Sequence, residues 1–275
     1  MMDEFNKLTG NQSKCIFVPY GLVIDVGINK RRILVYTYLY VKAGMDNTLL
    51  FNTNNLKQYA GKKIGLDNKS DTYANTLIET LTMLNDKWFI SYTGDIKRGK
   101  YKEIFFNKDK LFDYCSDHRF AIIYLDELET ILSYKNINPY DNKFDNSILL
   151  LVFLYLKGNI PIRHNNRFTS PEAYDAHYKD IGEDIGISER MVSKSVSILK
   201  ELKLIYVAER NPIKYYDNQS KEAKFRTPTN IFCNTYKRVK NGYDVYLMAE
   251  GESYYLTEVE NKIKYLEKHK LIWLI

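Results

Sequence analysis

Twice along this chain, apolar positions spaced three and four residues apart give way to strict alternation, and the second switch is the sharper one. Residues 178–185 predict a short helix closed by Gly186. Ser188 is a capping residue that opens a second helix, in which Val192, Val196, Leu199 and Leu202 share one apolar stripe. LIYVAER then alternates as a strand, RNPIKYYDNQSKEAKFR reads as a polar basic loop, and TPTNIFCN alternates again. Helix, glycine turn, capped helix, strand, basic loop and strand follow one another in the order of a winged helix, within about sixty residues.

The stripe leaves the other face of the second helix to Ser188, Glu189, Arg190, Ser193, Lys194 and Ser197. Short hydroxyls and long cations are the side chains that reach base edges or phosphates from a helix in the major groove. A plain amphipathic surface helix would carry a similar pattern, so the order of the surrounding elements is what favours DNA. Charge favours the same place. From Arg210 to Lys240 stand Arg210, Lys214, Lys221, Lys224, Arg226, Lys237, Arg238 and Lys240 against Asp217 and Glu222, eight less two, a net of +6. The whole chain also carries +6, so the remainder cancels and the excess lies on and after the wing, where a phosphate backbone would run.

Sliding the chain against itself exposes a weaker upstream copy. RILVYTYLYVKAG at 32–44 faces SILLLVFLYLKGN at 147–159 with an offset of 115. At the same offset Leu77, Leu81, Leu84, Phe89 and Ile90 face Val192, Val196, Leu199, Leu204 and Ile205. Between these anchors the register breaks: the early helix NTNNLKQYAG ends at Gly61, and longer loops fall at 62–70 in one copy and 160–177 in the other. WFISYTGDIKRGKYKEIFF predicts a first wing turning at Gly94 and Asp95, with Lys97, Arg98, Lys100 and Lys102 at or near its tip. The first recognition face is Asn75, Thr76, Glu79 and Thr82, which lacks a cation and carries a carboxylate. Base contact, a backbone clamp and a dimer surface all remain open for it.

Composition sets the outer bounds. With 275 residues, 45% of them apolar, the chain has material for two cores. The fold class expected is α+β, mainly helical: an N-terminal arm (1–30), a winged helix (31–112), a helical linker (113–146), a second winged helix (147–240) and a C-terminal amphipathic helix (241–275). That last helix rests on Leu256, Val259, Ile263 and Leu266, which give it one apolar face, and a dimer contact is its sharper use. No apolar run reaches membrane length and no secretion signal opens the chain, so an intracellular, cytoplasmic protein is expected. Cys15, Cys115 and Cys233 are too scattered for a disulfide or ligand set. The four histidines form no metal motif, and there is no phosphate-binding loop. No metal, no cofactor and no catalysis are expected.

Two winged helices, a linker helix between them and a returning wing strand of the form RTPTNIFCN resemble the plasmid and phage replication initiators and replisome organisers of low-GC bacteria. The resemblance covers most of residues 31–234 and is more specific for the fold than for replication. It implies binding of double-stranded DNA at repeated origin sites, opening or bending of that DNA, and recruitment of a helicase or its loader. Arg190, Ser193, Lys194 and Ser197 would then read the groove, while Arg210, Lys214, Lys224 and Arg226 hold the backbone or the minor groove. A transcriptional repressor acting as a homodimer on a palindrome, and an adaptor that binds only proteins, are the alternatives.

Overall fold

In the computed structural model, the described residues are 15–24, 32–43, 46–52, 55–56, 71–87, 89–97, 100–117, 119–135, 146–160, 173–208, 213–217, 221–226, 230–234, 238–240, 243–245, 268 and 272–274. They form a mixed α+β structure with small antiparallel sheets. The chain divides into two compact units, one of Ser13–Gly158 with Gly182–Ile198, the other of Met1–Gln12, Asn159–Ile181 and Leu199–Ile275. These units follow packing and do not fall at the repeat boundaries of 31–112 and 147–240.

The first unit opens with strand β1 (Cys15–Pro19) and the short helix α1 (Gly21–Ile24). It falls within the stretch read from sequence as an N-terminal arm (1–30), and its apolar residues belong to the core: Ile16, Val18 and Val23 are fully buried, and Leu22 nearly so. β1 pairs antiparallel with β5 (Phe120–Tyr124), a strand inside the stretch read from sequence as a helical linker. The sequence reading missed both because each is a short apolar run, CIFVP and FAIIY, with too few positions to display a period. Burial pushes the Cys15 thiol up, while its backbone hydrogen bond pulls weakly the other way.

Helix α2 (Arg32–Lys42) is buried along most of its length, and the Arg32 guanidinium lies inside with it. A buried charge needs partners. Arg32 Nε donates to the Leu22 carbonyl and Nη2 to that of Val23 at 3.2 Å, tying α2 to the end of α1. Next come β2 (Thr48–Phe51), α3 (Asp71–Asp86), β3 (Ile90–Ser91) and β4 (Lys102–Phe106). The three strands form one sheet in the order β2-β4-β3. Its inner face is Leu49, Phe51, Ile90, Ile104 and Phe106; Phe106 packs its ring 5.8 Å from Tyr36 and 5.4 Å from Tyr40 of α2.

Helices α4 (Lys108–Asp117), α5 (Leu125–Ser133) and α6 (Asn146–Asn159) complete the first unit's framework. The expected helix near 125–134 is α5. Helix α6 is apolar all round and buried all round, which is what a central helix requires. Its one buried cation, Lys157, pairs with Glu127 of α5 at 3.0 Å and lies over the rings of Tyr124 and Phe153. At the end of α6, Gly158 admits the Tyr20 ring so closely that a Cβ there would stand 2.5 Å from it.

The second unit contains β6 (Ala173–Ala176), β7 (Ile205–Ala208), β8 (Ile213–Asp217), β9 (Glu222–Arg226), β10 (Asn230–Asn234), β11 (Arg238–Lys240), β12 (Tyr243–Val245) and β13 (Ile272–Leu274). β6, β10 and β7 form a sheet in the order β6-β10-β7, centred on the fully buried Phe232, with Tyr174 and Tyr178 against its ring. In both sheets, then, the last strand in sequence lies between the first two. Helices α7 (Tyr178–Ile185) and α8 (Glu189–Glu201) join β6 to β7.

Three sequence readings change here. The stretch 210–226, read as a loop, contains the hairpin β8–β9, and the longer loop at 160–177 contains β6. The stretch 241–275, read as one helix, has strands at 243–245 and 272–274; its expected apolar face, Leu256 to Leu266, lies outside the described residues. So do most of the early helix NTNNLKQYAG and the loop at 62–70.

Candidate nucleic-acid interface

The turn between α7 and α8 is fixed by two glycines doing different things. Gly186 has φ +69, the left-handed value that glycine adopts without strain. This lets the Ile187 amide reach back to the Gly182 carbonyl at 2.9 Å, the six-to-one bond that ends a helix sharply. Gly182 matters for space, since a Cβ there would lie 2.6 Å from the Ile187 oxygen. Ser188 then caps α8: its carbonyl accepts from the Met191 and Val192 amides, and its Oγ stands 3.4 Å from the Met191 amide. Tyr155 of α6 donates to the Asp184 carboxylate and anchors the end of α7.

On α8 the buried side is Val192, Ser195, Val196, Ile198 and Leu199. Ser195 fits among apolar neighbours because its hydroxyl donates to the Met191 carbonyl at 2.8 Å. Leu202, placed in the stripe by its spacing, lies just past the helix and is only half-buried. Glu189, Arg190 and Ser197 are exposed, and Ser193 and Lys194 half-buried. The roles within this face differ. Ser188 spends its oxygen on the cap, and Glu189 in the first turn favours the positive end of the helix dipole. Ser197 already donates to the Ser193 carbonyl at 3.0 Å, so its oxygen keeps acceptor capacity. Arg190 and Lys194 are the cations of this face. Lys200, exposed in the last turn, extends the face and was missed by a reading that stopped at Ser197.

α8 ends with Lys203 at φ +57, the Lys203 amide bonded to Lys200 and the Leu204 amide to Leu199. Helix α3 ends alike: the Phe89 amide bonds to Leu84 at 3.0 Å. Donors and acceptors in the two caps are both 115 residues apart, and strands β3 and β7 begin directly after them, at Ile90 and Ile205.

The basic residues lie on strands and in the turns between them. In β8–β9, Lys214 pairs with Phe225, Tyr215 with Lys224 and Ile213 with Arg226; Lys221 is exposed in the turn at φ +56. Arg210 lies outside the described residues. Between β3 and β4, Lys97 and Lys100 are exposed, and the Lys100 amide donates to the Lys97 carbonyl at 3.2 Å. That bond lies beyond the turn expected at Gly94 and Asp95, where Gly94 does adopt φ +65. Arg98 lies outside the described residues. Asn75 and Thr76 stand on α3, in the part whose side chains are not described; further along that helix Ile78, Glu79, Thr82 and Asp86 are exposed.

Among the described residues no group of three or more His, Cys, Asp or Glu is placed to hold a metal, and no helix is long and apolar enough to cross a membrane. No protein-family model matches this chain, and no curated protein matches it in sequence.

Proposed function

We propose that the chain is a sequence-specific double-stranded-DNA-binding protein made of two winged helices by internal duplication, and that it acts as a plasmid- or phage-type replication initiator at origin repeats. A helicase or its loader is the protein partner of that reading. The observation that carries it is α8: a capped helix after a glycine turn, with Arg190, Ser193, Lys194 and Ser197 on the side away from its buried stripe. The equal strand orders β2-β4-β3 and β6-β10-β7, with matching helix ends 115 residues apart, support the duplication.

In this mechanism α8 enters the major groove, Arg190 and Lys194 donate to guanine or phosphate, and Ser197 accepts at a base edge. Lys214, Lys221, Lys224 and Arg226 neutralise phosphates beside it. The first copy contributes Lys97 and Lys100 as backbone contacts. Its α3 face, with exposed Ile78, Glu79 and Asp86, favours a protein contact over base reading.

Mobility shift and footprinting of fragments from around the protein's own gene, at two salt concentrations, test the reading. Protection of several direct repeats is the expected result. A single palindrome would replace the initiator with a repressor, and absence of binding to every fragment at both salts would overturn DNA binding.

A further inference from the structure

We infer that strand β13 is a strap that holds the β8–β9 hairpin in shape and thereby sets the strength of its grip on the DNA backbone. The inference rests on the DNA-binding reading above. β8 and β9 are five residues each, and a two-stranded ribbon of that length is marginal in water by itself. β13 supplies a third strand, giving the order β13-β8-β9, with Ile272 opposite Asp217, Trp273 opposite Tyr216 and Leu274 opposite Tyr215.

The placement decides between strap and competitor. β13 pairs along β8, whereas Lys224 and Arg226 belong to β9 on the other side of the sheet, and Lys221 sits in the exposed turn. The strap strand itself is uncharged and adds no phosphate contact of its own. Its contribution is order: cations on a preformed hairpin lose less conformational freedom on binding than cations on a fluctuating loop. The expected signature is thus a change in backbone grip with the base preference left intact.

The test compares the full chain with a chain ending at Leu271, and with the full-length variants Trp273→Pro and Leu274→Pro. Successive amides of a strand point alternately toward and away from its neighbour, so only one of the two proline variants should act. In hydrogen exchange, amides of 213–217 and 222–226 should exchange about tenfold faster in the shortened chain and in the effective proline variant, while those of 147–157 stay protected. DNA affinity should fall about tenfold for every sequence alike, the salt slope should fall by about two, and the ranking of sequences should not change. Wild-type exchange rates in all variants would overturn the strap, and so would tighter DNA binding after its removal or a loss confined to preferred sequences. Should the shortened chain lose protection at 147–157, the proline pair decides. A wild-type chain that binds no DNA defeats the DNA reading alone, because hydrogen exchange still reports on the strap.

Discussion

Helices α3 and α8 end on the same backbone device and lead into the same kind of strand, yet they offer opposite chemistry to whatever lies against them. Each has a fully buried leucine whose carbonyl accepts the closing bond, Leu84 in one and Leu199 in the other. At matched positions outside the core, α3 carries Ile78, Glu79 and Thr82 where α8 carries Ser193, Lys194 and Ser197. The framework positions are set by packing, which admits few substitutions, whereas the outer positions follow the partner. A carboxylate at 79 repels phosphate where the lysine at 194 attracts it, so the two helices are suited to different partners although they end alike.

The largest effects should come from the shared framework. Leu84→Ala and Leu199→Ala each remove most of a buried side chain and should cost about 2–5 kcal/mol in denaturant unfolding, with similar values for the two. Very unequal costs would count against a duplicated scaffold. The next effect separates the faces. Lys194→Glu should weaken DNA binding by about 1–3 kcal/mol, whereas Glu79→Lys should leave it equal or slightly stronger in a mobility shift. A comparable loss from both would end the asymmetry argued here. Gly186→Ala, which forces a Cβ into the left-handed region at φ +69, should cost about 1–2 kcal/mol in thermal unfolding.

The smallest effect concerns pH. The Thr48 hydroxyl at 2.6 Å and the Thr48 amide at 3.1 Å hold the exposed Asp46 carboxyl below its ordinary value. A lowered folded value means the contribution is present above the unfolded carboxylate range and is lost as pH falls through the folded value. Melting temperature followed across acid pH should therefore show a slightly shallower decline for Asp46→Asn.

Much of α8 and the turn before it was legible from sequence because its signals are local. Gly186, Ser188 and the stripe of Val192, Val196 and Leu199 fix the turn, the cap and the buried side of α8 within fifteen or so residues. The strands that escaped notice depend on distant partners. β6 is paired by β10 more than fifty residues later, and β1 by β5 some hundred residues on. β2, a four-residue run of TLLF, is half of an alternation too short to register. The hairpin in 210–226 was hidden by its charge, since lysines and tyrosines that alternate across two strands read as a solvated loop when the pairing is unknown. The burial of Ser195 has no sequence signal, because a hydroxyl suggests the surface and only its bond to the Met191 carbonyl lets it take a core position.

The central claim, that α8 reads bases and α3 does not, is tested most directly by selecting bound sequences from random duplexes at fixed salt with the wild type, Arg190→Ala and Glu79→Ala. The expected result is one preferred motif for the wild type, relaxed at a defined base position in Arg190→Ala and unchanged in Glu79→Ala. A motif untouched by Arg190→Ala, or one altered by Glu79→Ala, would contradict it.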